Sequence, residues 1–332
     1  MGLVLQLFAA VVASAGLVSW AWMAARLKRG QPLIAAEPRR PVPWRAVDLL
    51  MVALVFAAGL GLFATVLNFA IAGPENDLKH FEVAVGAGMA ANVLTMVFSV
   101  VWLVSRVGAR ASDLGWNGQT IAGDVRMGLV AFAALSGPIY GMQAFLMQFG
   151  KLLHWKNVQH PIIEALGKQP SGWLFALSGV SAVLVAPIAE EFLFRGLLQG
   201  WLESLPFEPK SAGAQPAATV PAPAETHGDA SMPATRAGTT GPRADHDQIG
   251  PAENISQDGP KGRRGAIVLT SAIFALMHWG HGFAPVPLFF LSLGLGWLYQ
   301  RTHRLLPSVV VHFCLNGCSF LMLPLALSER AA

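Results

Sequence analysis

An all-α membrane protein, a multi-pass bundle of about eight transmembrane helices with one long disordered loop, is the fold class that three observations predict. Of 332 residues, 54% are hydrophobic and only 13% are charged, against roughly a quarter charged in an ordinary soluble domain. The apolar residues are gathered into blocks long enough to cross a bilayer, which takes about 20 helical residues for about 30 Å of hydrocarbon. No block shows the period-2 alternation of a barrel strand, and a helix satisfies its own backbone amides in lipid.

The first block, Leu3 to Met23, lacks a basic leading region and is followed by Arg26, Lys28 and Arg29. It reads as a retained helix rather than a cleaved signal. The next three blocks run from Ala46 to Ala72, Val83 to Val107 and Met127 to Phe149. The last four run from Trp173 to Leu202, Gly265 to Trp279, Pro285 to Tyr299 and Leu305 to Leu327. Cys314 and Cys318 lie one helical turn apart in the last block, which is neither a disulfide framework nor a CxxC metal site.

Basic residues set the expected orientation. The connection after the first block holds Arg26, Lys28, Arg29, Arg39, Arg40 and Arg45, whereas the next holds only Lys79. The positive-inside rule makes the first connection cytoplasmic and puts both termini outside. Lys151, Lys156 and Lys168 run against that rule but are outnumbered. The formal charge of +4 belongs to this asymmetry and calls for no nucleic-acid partner. Between blocks five and six the chain is Pro, Ala, Gly, Ser and Thr with scattered charge. Such a stretch cannot bury enough surface to fold. The expected organisation is therefore N-terminal helices over 1–165, the first half of a C-terminal core over 166–203, a disordered cytoplasmic tether over 204–264, and the second half of the core over 265–328. The sequon at Asn254 within the tether is read as chance.

Ionisable residues inside spans are costly, roughly 2.5 to 3.5 kcal/mol each at the bilayer centre, and are functional candidates for that reason. Block five carries Glu190, Glu191 and Arg195; block six ends on Phe274 and His278; block eight holds His312 and Asn316. On a helix Glu191 and Arg195 are four residues apart and face each other with the acid first, the better order for such a pair. Glu190 is rotated about 100° away from Glu191, off the arginine's face. Left without that cation in a dry setting, it is the candidate general base. Pro187, three residues earlier, removes a helix donor, and a kink there lets water approach Glu190. His312 and Asn316 are again four apart and project from one face, two donors aimed at one point. His278, on a third helix, is placed to share a water with Glu190.

These residues resemble the CAAX-protease and bacteriocin-processing (CPBP, or Abi) membrane proteases, which include the Ras-converting prenyl-protein proteases. The first motif of that family, two glutamates and an arginine after three further residues, is matched by Glu190, Glu191 and Arg195, with Pro187, Phe194 and Gly196 around them. The second, F-x-x-x-H, is matched by Phe274 and His278, and the third, H-x-x-x-N, by His312 and Asn316. The resemblance spans roughly Trp173 to Leu327; the insert of about 60 residues between the first two motifs departs from it, since neighbouring helices are usually joined by a short loop. It implies that Glu190 and His278 activate water, that His312 and Asn316 form an oxyanion hole, and that Glu191, Arg195 and Phe274 support them.

The implied activity is hydrolysis of a peptide bond in a membrane-anchored protein or peptide, as in CAAX-type or bacteriocin and immunity-type processing. The lipid bilayer is the other expected partner. Richness in Ala, Gly and Pro points to a bacterial inner membrane. No cofactor is expected on balance: Glu190, His278 and His312 make a His₂Glu zinc set on paper, but the H-E-x-x-H helix that usually builds such a site is missing, and Asn316 suits an oxyanion donor better than a ligand. The rival class is a non-catalytic membrane protein, an immunity or scaffold protein or a transporter using Glu190 as a proton site. A transporter is expected to show paired repeats with broken helices in both halves, and the ionisable cluster here is confined to the C-terminal half.

Overall fold

A computed structural model describes residues 2–38, 41–70, 77–154, 171–205 and 261–331. Among them the chain forms helices and no strand. They are α1 (Gly2–Lys28), α2 (Ala46–Ala70), α3 (Asp77–Val107), α4 (Ile121–Leu152), α5 (Gly172–Leu202), α6 (Lys261–Met277), α7 (Pro285–Thr302) and α8 (Leu306–Ala331). The helical membrane bundle read from the apolar blocks is thus present, one helix to each block. Within the described residues, five stretches are long and apolar enough to span a bilayer, on α1, α3, α4, α5 and α8. In α2 and α6 the apolar stretches found among the described residues are Ala46–Leu62 and Arg264–Met277. The tether expected over 204–264, with its Asn254 sequon, falls almost wholly outside the described residues. Its last residues differ from expectation, because α6 already begins at Lys261.

α5 occupies the centre, packed against α3, α6, α7 and α8, while α4 bridges α1, α7 and α8. The outer surfaces remain apolar: Leu17, Val18, Leu94, Phe145 and Leu321 are each at least 65% exposed. Exposure of that kind over so many helices suits contact with acyl chains and not with water. Inside, two clusters carry the packing. One gathers Trp44, Leu103, Leu114, Phe192, Leu197, Tyr299 and Leu305 around the second half of α5, and the other gathers Ile139, Leu291, Leu295, Leu298, Val311 and Leu315 between α4, α7 and α8.

Close helix approach depends on small residues. A Cβ on Gly128 of α4 would lie 2.6 Å from the Val310 side chain and 2.8 Å from the Pro307 carbonyl oxygen of α8, so only glycine lets these backbones meet. Tyr140 then ties the pair together by donating its hydroxyl to the Leu315 carbonyl at 2.9 Å.

The basic end of the bundle is fastened by buried carboxylates. Asp48, fully buried, receives Arg106 Nε at 2.9 Å and Trp102 Nε1 at 3.0 Å, joining α2 to α3. Arg304, just after α7, reaches Asp124 of α4 at 2.9 Å and Glu37 at 3.0 Å. α7 itself ends on His303 in the left-handed conformation, with φ 51°, and the chain turns directly into α8. Replacing Gly128 by Val is expected to lower stability by about 1–3 kcal/mol through overpacking, visible as a lower thermal midpoint in detergent; an unchanged midpoint would contradict the close α4–α8 contact.

Candidate active site

Local geometry of α5 departs from the ordinary helix on both sides of the glutamate pair. Residues Val180–Val185 and Phe192–Gln199 are π-helical, and a short α-helical piece, Ala186–Glu191, lies between them. In the π register each N–H reaches the carbonyl five residues back, as Ala186 does to Ser181. The next donor in that series would be residue 187, which is proline and has no N–H, so the Ala182 carbonyl is left without a backbone partner. Asn316 of α8 fills the vacancy: its Nδ2 donates to the Ala182 oxygen at 2.9 Å. Pro187 itself lies in the short α-helical piece between the two π-helical stretches, and one of the candidate residues is held by the carbonyl it frees.

Glu191 and Arg195 face each other as their spacing requires, with Arg195 Nε 3.1 Å from Glu191 Oε2, and both are fully buried. Arg195 continues to α7, where Nη2 donates to Ser292 Oγ at 2.8 Å. Its guanidinium lies 4.9 Å above the ring of Phe274 from α6, an arrangement that puts the cation on the negative face of the ring. The other oxygen of Glu191 accepts a hydrogen bond from His312 Nδ1 at 2.9 Å. One buried ion pair thus links α5, α6, α7 and α8.

Glu190 points elsewhere. Its side chain is 26% exposed, against 0% for Glu191, and its Oε2 lies 3.7 Å from His312 Nε2. His312 is consequently set between the two carboxylates, with one ring nitrogen toward each. Because Glu191 is an acceptor, Nδ1 carries a proton, and Nε2 is the atom turned toward Glu190.

His278 follows the last residue of α6 and curls back on it, its Nδ1 2.9 Å from the Phe274 carbonyl oxygen. The carbonyl can only accept, so Nδ1 is the protonated nitrogen and Nε2 keeps its lone pair in the neutral ring. Phe274 sets the level of this histidine. Fully buried, it packs its ring 4.9 Å from His278 and 5.9 Å from His312. On length alone His278 belongs near the far end of its block; Phe274 places it one turn from the layer of Arg195 and His312. His281, three residues on, is also near His278, with ring centroids 6.2 Å apart.

The donors do not form a ligand cage. Among the described residues no group of three or more His, Cys, Asp or Glu side chains is gathered closely enough to hold a metal ion. The set Glu190, His278 and His312 is not such a group.

Ser292 was not legible as part of this constellation, since a lone serine in an apolar helix more often returns its hydroxyl to its own backbone. Only the packing of α7 against α5 brings it to Arg195. The Ala182 carbonyl was equally hidden, although Pro187 five residues on is its sequence signal.

Residues 172–222 and 253–318 match the family model Rce1-like, type II CAAX prenyl endopeptidase Rce1-like. All seven motif residues fall within the match, and the unmatched stretch between its two parts lies inside the insert. Over this C-terminal part the chain is similar to the Rce1-like family, in keeping with the three motifs. The family is one of peptidases, and with the apolar helices it makes this an integral membrane protein. No curated protein and no solved structure matches the chain.

Replacing Glu191 by Gln is expected to cost about 3–5 kcal/mol, because Arg195 would be left as an uncompensated buried charge. Glu190→Gln, at the half-open position, is expected to leave the thermal midpoint nearly unchanged. Equal midpoints for the two variants would show that the ion pair is not what holds these four helices.

Proposed function

We propose that this protein is a glutamate-type intramembrane endopeptidase that cleaves a membrane-anchored protein close to its anchor, the CAAX-type reaction being the model. The observation that carries the reading is the division of labour between two adjacent acids: Glu191 is consumed by Arg195 and His312, while Glu190, half-open beside His312 Nε2, is the carboxylate accessible to water.

In this mechanism Glu190 takes a proton from a water, with His278 Nε2 as the second acceptor that orients it, and the hydroxide attacks the scissile carbonyl. The carbonyl oxygen becomes an oxyanion, which accepts hydrogen bonds from His312 Nε2 and Asn316 Nδ2. A primary amide has two N–H groups, so Asn316 retains one donor while the other bonds Ala182. His312 donates from Nε2 while Nδ1 donates to Glu191, which requires the doubly protonated ring. With Glu190, Glu191, Arg195 and His312 all charged, the cluster is neutral, as a site in an apolar bundle needs to be. On collapse of the tetrahedral intermediate Glu190 returns its proton to the leaving amine.

The location proposed is a bacterial inner membrane with both termini outside, supported by the basic residues at the ends of α1, α3 and α7. The transporter reading fares worse, because the acid it would use as a proton site sits beside His312, which shares a helix face with Asn316 one turn on, a pair suited to stabilising an oxyanion.

Purified protein in lipid nanodiscs is expected to cleave a prenylated CAAX-type peptide. Glu190→Ala and His278→Ala should abolish turnover, and Asn316→Ala should lower kcat by about 10²–10³. Full cleavage by Glu190→Ala would remove the glutamate from the role of base. Turnover is further expected to persist in excess chelator; its loss, restored by added zinc, would replace this mechanism with a metal-dependent one.

A further inference from the structure

A groove of about 950 Å³ opens at the basic end of the bundle, between α1, α4, α7 and the segment that follows α1, and none of the catalytic candidates lines it. Its walls are apolar, built by Met127, Val130, Ala131 and Leu135 of α4, Trp20 of α1 and Gly294 of α7 among others. Trp22 and Trp297 flank it, aromatic residues of the kind that settle at a lipid headgroup boundary.

Its charges are unevenly spent. Glu37 and Asp124, the carboxylates of the lining, are both taken by Arg304. Arg26 and Arg126 also line the groove, and among the described residues neither has a carboxylate partner. Arg26 is held in place without being neutralised: Nε and Nη2 donate to the Pro32 carbonyl at 3.2 and 3.0 Å, and the guanidinium lies 5.3 Å from the Trp22 ring. The segment carrying Pro32 is fastened in turn, because the Glu37 amide donates to the Arg301 carbonyl at 2.9 Å. An apolar trough with two guanidinium groups in its lining that lack a carboxylate partner among the described residues is complementary to an anionic amphiphile.

From this pattern we infer that the groove is a binding site for one anionic phospholipid, its phosphate on Arg26 and Arg126 and an acyl chain along α4. A zwitterionic lipid would bring its own cation to the same two arginines and gains less from them. The site is separate from the proposed peptidase centre, so it survives or fails independently of that reading.

The test is native mass spectrometry of the full chain released from nanodiscs that hold equal parts phosphatidylglycerol and phosphatidylcholine. Wild type is expected to retain phosphatidylglycerol in preference to phosphatidylcholine. The double variant R26A/R126A should lose about tenfold or more of that retention, R126K should keep most of it, and Ala131→Phe, which fills the trough and leaves the charge alone, should lose it too. Arg110→Ala, removing an exposed arginine that does not line the groove, should retain lipid as wild type does. Equal retention of the two lipids would overturn the proposal. So would wild-type retention by both R26A/R126A and Ala131→Phe, or a loss in Arg110→Ala as large as in the double variant. Occupation by a substrate's lipid anchor instead would appear as Ala131→Phe abolishing cleavage with phosphatidylglycerol retention intact, which also counts against it.

Discussion

A guanidinium buried among apolar helices has to be matched where it lies, and Arg195 organises the C-terminal half of this protein around that requirement. An isolated buried charge is very costly, whereas one that is paired and hydrogen-bonded can be tolerated. Arg195 meets the condition in part, through Glu191 one turn back on α5, Ser292 Oγ on α7 and the face of Phe274 on α6, while its Nη1 is buried without a hydrogen-bond partner among the described residues. Glu191 extends the chain of contacts to His312 on α8. Four helices that could otherwise slide along greasy interfaces are thereby set at one level.

The same constraint separates two chemically identical neighbours. Glu191 sits where both of its oxygens are occupied, so it positions His312 and balances Arg195. Glu190, one residue earlier and a third of a turn around the helix, lies off the Arg195 face, 3.7 Å from His312 Nε2 and partly exposed. Helix geometry, and no difference in side chain, buries one acid in the ion pair and leaves the other partly exposed.

The π-helical turns of α5 serve a related purpose. Wider turns cost hydrogen-bond quality, and a proline within a helix costs roughly 3 kcal/mol more than alanine. Here the loss is partly offset, since the carbonyl of Ala182 is bonded by Asn316. The disturbance therefore fixes a side chain of α8 beside the histidine one turn before it, and an irregularity that would weaken a purely structural helix orients part of the proposed oxyanion hole.

The helical class, one helix for each apolar block, the face-to-face pairing of Glu191 with Arg195, and the resemblance to a peptidase family were all determined by the sequence alone. Each follows from composition, from the 3.6-residue period or from short motifs within a single helix, where spacing dictates direction. What only the tertiary structure decided are the relations between helices: that His312 lies between both glutamates, that Ser292 and the Ala182 carbonyl complete the network, and that Phe274 sets the level of His278. Periodicity tells which way a side chain points from its own axis. The depth and rotation at which one apolar helix meets the next depend on small residues such as Gly128 and on the few polar groups that must find each other, and neither is encoded in any one segment.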